Sequence, residues 1–192
     1  MGPGIFKIDW ALDGSIPWND ERCAKASTIH IGGSMEEIAE SEKLMWNGKH
    51  AEKPYIILCQ QSEIDSSRAP AGKHTGYAYC HVPHGSTKDM TSIIEAQIER
   101  FAPGFRDLIL GKKSSTSQDL HSQNPNLVGR SITGGASNLG QLFARPVLRI
   151  DPYSTPNEKI FICSASTPPG GGVHGMCGYW AAKSVLKKNF SI

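Results

Sequence analysis

Lys159-Ile160-Phe161-Ile162-Cys163-Ser164-Ala165-Ser166-Thr167-Pro168-Pro169-Gly170-Gly171-Gly172-Val173-His174-Gly175-Met176 decides how the end of this chain is read. An apolar run gives way to small and hydroxylated residues, then two prolines, then three consecutive glycines. A segment of helical character follows, to about Lys188. This order predicts a strand, a tight turn and a helix start. Glycines at such a junction let the backbone lie against a flat or charged ligand with no Cβ in the way. The free N–H groups and dipole of the helix N-terminus favour partial negative charge there. The same glycines would equally serve a left-handed turn that only reverses the chain.

Two standard readings of a glycine-rich turn fail here. A phosphate loop closes its glycines with Gly-Lys-Ser/Thr, whereas Val173-His174 follow these. The first turn of a dinucleotide fold needs a second strand ending in an acidic residue about 20 residues on, and the sequence ends at Ile192. A cofactor touched by this turn would therefore sit in a site built mainly from other parts of a protein.

Working outward, 192 residues suffice for a domain with a real core. The apolar content of 39% is on the low side, and 20 Gly with 12 Pro predict many loops. With a net charge of +2 and interspersed signs, Lys112-Lys113 and Lys187-Lys188 read as solvated surface; no nucleic-acid partner is expected. No apolar run approaches a membrane span. Lys7, Asp9 and Asp13 inside the first apolar segment argue against a signal peptide. Five cysteines with no C-x-x-C pair fit reduced thiols, so a cytoplasmic location is expected.

The rest of the chain mixes strands and helices. Ile5 to Leu12 alternates with period 2, and Ala24 to Ile31 is a second candidate strand. Ser34 with Glu37 three residues later forms a capping-box signature for a helix whose face is Ile38, Ala39, Met45 and Trp46, ended by Asn47-Gly48. Tyr55 to Cys59 is apolar on both faces, which predicts a central strand. Thr75 to Val82 places Tyr77, Tyr79 and His81 on one face and Gly76, Ala78, Cys80 and Val82 on the other. Asp89 is the expected cap of a helix whose face is Met90, Ile93, Ile94, Gln97, Ile98 and Phe101. Lys112 to Gly140 is polar and too long for an ordinary connection, which points to a functional loop, a lid or short elements. His81-x-x-His84 is spaced like a metal pair, but three residues along a strand point to opposite faces and Pro83 intervenes, so no metal is expected.

Several blocks in order resemble one family. These are Asp9-Trp10-Ala11-Leu12-Asp13-Gly14-x-Ile16-Pro17-Trp18, Ile29-His30-Ile31-Gly32-Gly33, Arg68-Ala69-Pro70-Ala71-Gly72-Lys73-His74-Thr75, Tyr79-Cys80-His81-Val82-Pro83, Ile98 to Phe105, Asn124 to Gly129, and Ser164 to Gly178. Together they resemble the substrate-domain portion of phytoene dehydrogenase-related, FAD-dependent oxidoreductases. The match runs from about Phe6 to about Leu186. The family's N-terminal Gly-x-Gly-x-x-Gly dinucleotide-binding part is absent, so the resemblance implies the C-terminal part of a flavoenzyme.

The resemblance implies an α+β fold: a mixed, mostly antiparallel sheet flanked by helices. Residues 1–158 would form a substrate-binding-type domain, and 159–192 a strand, glycine-rich turn and helix that complete an FAD-binding domain. Pro169, Gly170, Gly171, Gly172, Val173, His174 and Gly175 would lie near the flavin. The following helix would pack Gly178, Ala181 and Ala182 against the missing domain. Tyr77, Tyr79 and His81 would line the cavity for an apolar substrate, although ordinary cross-strand packing is the simpler reading of the three. His174 is the candidate catalytic residue. The implied activity is FAD-dependent dehydrogenation or desaturation, with this chain inactive and holding FAD weakly by itself. A separately encoded FAD-binding half or self-association would cover the exposed apolar surface. The rival is a non-catalytic module that binds an apolar ligand or a partner chain.

Overall fold

Period-2 alternation in the first segment becomes strand β1, Gly4–Leu12, with Phe6, Ile8, Trp10 and Leu12 all buried. The computed structural model describes residues 2–127, 134–136 and 138–190, with backbone alone at 142 and 143. The chain divides into two compact units, Pro3–Arg130 and Ser131–Ile192, the latter with Met1–Gly2. The domain boundary expected at 158/159 falls inside the second unit.

In the first unit, α1 (Glu21–Ala24), β2 (Thr28–Ile31), α2 (Met35–Trp46), β3 (Ile56–Cys59), β4 (His74–Val82), α3 (Thr91–Glu99), β5 (Ile109–Ser115) and α4 (Ser117–Gln123) follow β1. The sheet is five-stranded, in the order β2-β3-β4-β1-β5, and every described pairing is antiparallel. The fold is therefore α+β with an antiparallel sheet flanked by helices. Lys7 pairs with Tyr79 and Asp9 with Tyr77, which sets the face of β4 that carries Tyr77, Tyr79 and His81. The opposite face, with Ala78, Cys80 and Val82, is buried with Ile56 and Leu58 under Met90, Ile94 and Ile98 of α3.

Several local expectations change. The strand expected over Ala24 to Ile31 is shorter, because Asp20 caps α1 by accepting from the Arg22 amide at 3.0 Å. In α2, Ser34 accepts from the Glu37 amide at 3.3 Å, and the Glu37 carboxylate is held by Lys53 and Arg100 as well. The buried side of that helix is Ser41 and Met45; Ala39 and Trp46 are exposed. Asp89, the expected cap of α3, stands one residue ahead of the actual N-cap, Met90, and accepts from the Thr91 amide at 2.7 Å. Of the polar stretch from Lys112 to Gly140, the first part completes β5 and then α4, whose Thr116 and Asp119 form a full capping box. The remainder includes residues 128–133 and 137, outside the described residues, as is the end of the Asn124 to Gly129 block.

The second unit contains α5 (Leu139–Ala144) and α6 (Met176–Asn189). The strand expected ahead of the glycine turn does not form. Ser154 and Phe161 make one isolated antiparallel bridge, and the Ile162 amide donates to the Tyr153 carbonyl at 2.7 Å. A two-segment contact of this kind, with no third strand described beside it, does not extend into a ladder. Asp151 ties α6 down, accepting from Ser184 Oγ at 2.6 Å and from Lys188 at 3.2 Å.

The first unit is pinned by Glu95 of α3, which is buried. It accepts from Trp10 Nε1 at 3.2 Å and from Lys112 Nζ at 2.7 Å. Removing the ammonium leaves a buried carboxylate with one neutral donor, which is more costly than losing an exposed pair. Lys112→Met should destabilise the protein by about 1–3 kcal/mol, and the double change with Glu95→Gln should recover part of that. Urea unfolding of the three proteins measures both.

Candidate functional site

The glycine-rich turn forms a cleft of about 300 Å³ lined by Cys163, Ser164, Ala165, Gly170, Gly171, Gly172, His174, Gly175, Cys177 and Gly178. Glycines supply half of the lining, which leaves backbone accessible to a flat ligand edge there. The cleft opens at the N-terminus of the 14-residue α6, whose cap is Gly175 at φ +65°. Pro169, Gly171, Gly172, Val173, His174 and Gly175 are exposed, and Gly170 is buried. The residue set is thus compatible with the edge of a flavin ring, which needs backbone approach and N–H groups but no bulky side chain.

His174 does a second job in this cleft. Its Nδ1 accepts from the Met176 amide at 3.0 Å, so the ring caps the first turn of α6. The ring also folds over Gly172, where a Cβ would meet His174 Cδ2 at 2.6 Å. In the neutral imidazole the proton is consequently on Nε2. Gly178 packs beside Cys163 and Ala181 is buried within this unit, whereas Ala182 is exposed.

Two residues that sequence reasoning did not single out hold the turn from below. Arg145 is 5% exposed and donates from Nη1 to the Ala165 carbonyl at 3.0 Å and from Nη2 to the Ala136 carbonyl at 3.1 Å. The Cys177 thiol donates to the Gly170 carbonyl at 3.2 Å. All of these acceptors are backbone atoms, so no residue type flagged the contacts in advance.

The second candidate region is the face of β4. The structure brings Tyr77, Tyr79 and His81 together there, each half-buried. Lys7 Nζ stands 4.9 Å from the centre of the Tyr77 ring, and His81 Nδ1 lies 2.9 Å from Glu42 Oε1. Tyr77 is hydrogen-bonded to Cys59; this bond first, and then burial, pushes its phenol up to about 12. Burial also raises Tyr79, helped by Cys59 and Tyr55. This face therefore carries phenol hydroxyls held neutral above the usual value of about 10, beside the charged groups of Lys7 and Glu42.

Among the described residues no group of three or more His, Cys, Asp or Glu could hold a metal ion. Among them, also, no helix is long and apolar enough to cross a membrane. All five cysteines are free thiols.

No protein-family model matches the chain. The chain is similar to Pyridine nucleotide-disulfide oxidoreductase domain-containing protein 2 of Rattus norvegicus, 35% identical over 152 residues that cover 73% of this chain and 26% of that protein. The protein of the same name from Mus musculus is 33% identical over 152 residues, with the same shares. It is similar too to 4,4'-diapolycopen-4-al dehydrogenase of Metabacillus indicus, 29% identical over 147 residues, 72% of this chain and 28% of that enzyme. The chain therefore spans about a quarter of the length of the curated relatives it matches, and these relatives support an oxidoreductase-related family.

The Tyr77–Cys59 bond carries a pH signature. A phenol whose folded pKa is raised contributes stability that is complete below the unfolded value of about 10 and is lost as pH climbs through the folded value. Between pH 10 and about 12 the wild type should lose stability that Tyr77→Phe does not lose. Absorbance at the phenolate band should show one tyrosine titrating late, and Cys59→Ala should bring it earlier.

Proposed function

We propose that this chain is the C-terminal part of an FAD-dependent oxidoreductase that dehydrogenates or desaturates an apolar substrate. The observation that carries this reading is the glycine-lined cleft at the start of α6, on a chain whose relatives are oxidoreductases. A bound FAD supplies the two-electron acceptance that no amino-acid side chain provides. The chain's own part is orientation and electrostatics. Backbone N–H groups from Gly171 to Gly175 and the positive end of α6 would face the pyrimidine edge, where negative charge develops on reduction. Tyr77, Tyr79 and His81 would line the substrate side. His174 would carry its proton on Nε2, while Nδ1 stays on the helix cap.

Binding by this chain alone should be weak, because the diphosphate and adenosine need a strand–turn–helix cradle that these residues do not form. In an isotope-labelled sample, added FAD should shift the amides of Gly170 to Gly178 with an affinity weaker than about 1 μM. Gly172→Val should reduce that affinity at least about tenfold, and because its side chain meets the His174 ring it should also lower the thermal midpoint. Amides that stay unmoved by FAD would remove the flavin reading.

A partner surface belongs to the same proposal. Tyr179 and Trp180 are 52% and 43% exposed, Leu186 and Phe190 share the outer side of α6, and Val173 is fully exposed. Exposed apolar groups at this density mark an association surface. A separately encoded FAD-binding half or a second copy of this chain would cover it. Light scattering should show self-association that rises with concentration, and Trp180→Glu should abolish it.

A further inference from the structure

Behind the glycine-rich turn sits a positive charge with no counter-charge among the described residues. Arg145 is buried, and among the described residues its guanidinium meets only the carbonyls of Ala165 and Ala136. A guanidinium stays protonated, and a buried charge is ordinarily paired with an opposite one. Carbonyl dipoles satisfy N–H groups but leave the net charge in place.

That charge lies at the wall of the cleft. Nη1 is 2.6 Å from where a Cβ on Gly170 would stand, so the cation rests directly against the turn because residue 170 has no side chain. Gly170 also sits at φ +106°, a conformation that other residues rarely adopt. Two carbonyls of the wall are already engaged, Ala165 by Arg145 and Gly170 by the Cys177 thiol at 3.2 Å. With those acceptors occupied and a cation behind it, the wall favours negative charge. The start of α6 opens on the same cleft and adds to that field.

We propose that Arg145 is the positioning residue of the glycine-rich turn, and that its buried charge makes the cleft above Gly170 a site for a planar anionic edge. The identification of that edge with a reduced, anionic flavin rests on the proposed function; the preference for a planar anion does not.

The test uses the isotope-labelled chain and two probes of one shape, barbiturate as the planar anion and uracil as its neutral counterpart. Barbiturate should bind the cleft at least about fivefold more tightly than uracil, read from the amides of Gly170 to Gly178. Arg145→Gln should bring the ratio close to one. Arg145→Lys, which keeps the charge but not the fork, should retain part of it. Gly170→Ala, which displaces the guanidinium but keeps the charge in the chain, should lower the ratio too. Amide exchange across the turn should quicken in Arg145→Gln, as expected of a lost anchor.

A wild type that does not discriminate between barbiturate and uracil overturns the proposal whether or not any variant folds. So does a ratio that survives Arg145→Gln. A second arm separates the flavin question. Anaerobic titration should show reduced FAD binding more tightly than oxidised FAD, and Arg145→Gln should erase the difference. If FAD shifts the turn with no preference for its redox state, the flavin reading stands and Arg145 loses its role. If barbiturate is preferred but FAD does not bind, the anion site stands and the flavin reading falls.

Discussion

The sheet unit depends on one buried carboxylate. Glu95 on α3 accepts from Trp10 on β1 and from Lys112 on β5, so a single side chain ties the covering helix to a central strand and to the edge strand beside it. The position of Trp10 follows from it, and Trp10 in turn stands edge-on to Phe105 at 5.2 Å between ring centres. The floor under Met90, Ile94 and Ile98 is then set. Burying a carboxylate is costly unless its partners are well placed, which makes this contact a constraint on the register as well as a source of stability. A one-residue slip of β1 would turn Trp10 away from Glu95 and would also invert every core residue on that strand.

With the register held, the other face of β4 follows without further cause. Residues 76, 78, 80 and 82 go to the core, so Tyr77, Tyr79 and His81 must stand on the opposite side. That side was legible in the sequence because β1 and β4 are both nine residues long and alternate cleanly. The α3 face was legible for the analogous reason at helical period: Met90, Ile94 and Ile98 recur at spacing four and are all fully buried. Periodicity reports which side of an element is covered. It says nothing of what meets the uncovered side, so the Tyr77–Cys59 and His81–Glu42 contacts had no counterpart in the pattern.

The misreadings have equally local causes. Strand β5 carries Gly111, Lys112, Lys113, Ser114 and Ser115, most of them exposed, because it is an edge strand whose polar side chains discourage further pairing. Composition of that kind resembles a loop. Conversely, Ile160, Phe161 and Ile162 resemble a strand by composition but find one bridge, since strand formation needs a neighbour as much as a propensity. Arg145 was invisible for a third reason. Its partners are carbonyls nine and 20 residues away in sequence, and backbone acceptors have no residue signature.

Seeing what each glycine faces changes the weight that the turn can bear as a functional signal. Gly170 makes room for Arg145 and Gly172 for the ring of His174, so each of these two has a neighbour inside its own unit that a Cβ would disturb. Three glycines in a row are therefore not by themselves a ligand's imprint. The stronger sign is electrical. In the sheet unit the buried Glu95 has a lysine beside it; in the other unit the buried Arg145 has, among the described residues, carbonyls alone as its hydrogen-bond partners. A protein that needed only to fasten the turn could do so with a neutral donor, at a lower desolvation cost. A guanidinium held directly behind that surface does more than fasten. It leaves a standing field at the mouth of the cleft, and the partner that such a field selects is flat enough to lie on glycine and negative enough to complete the pair.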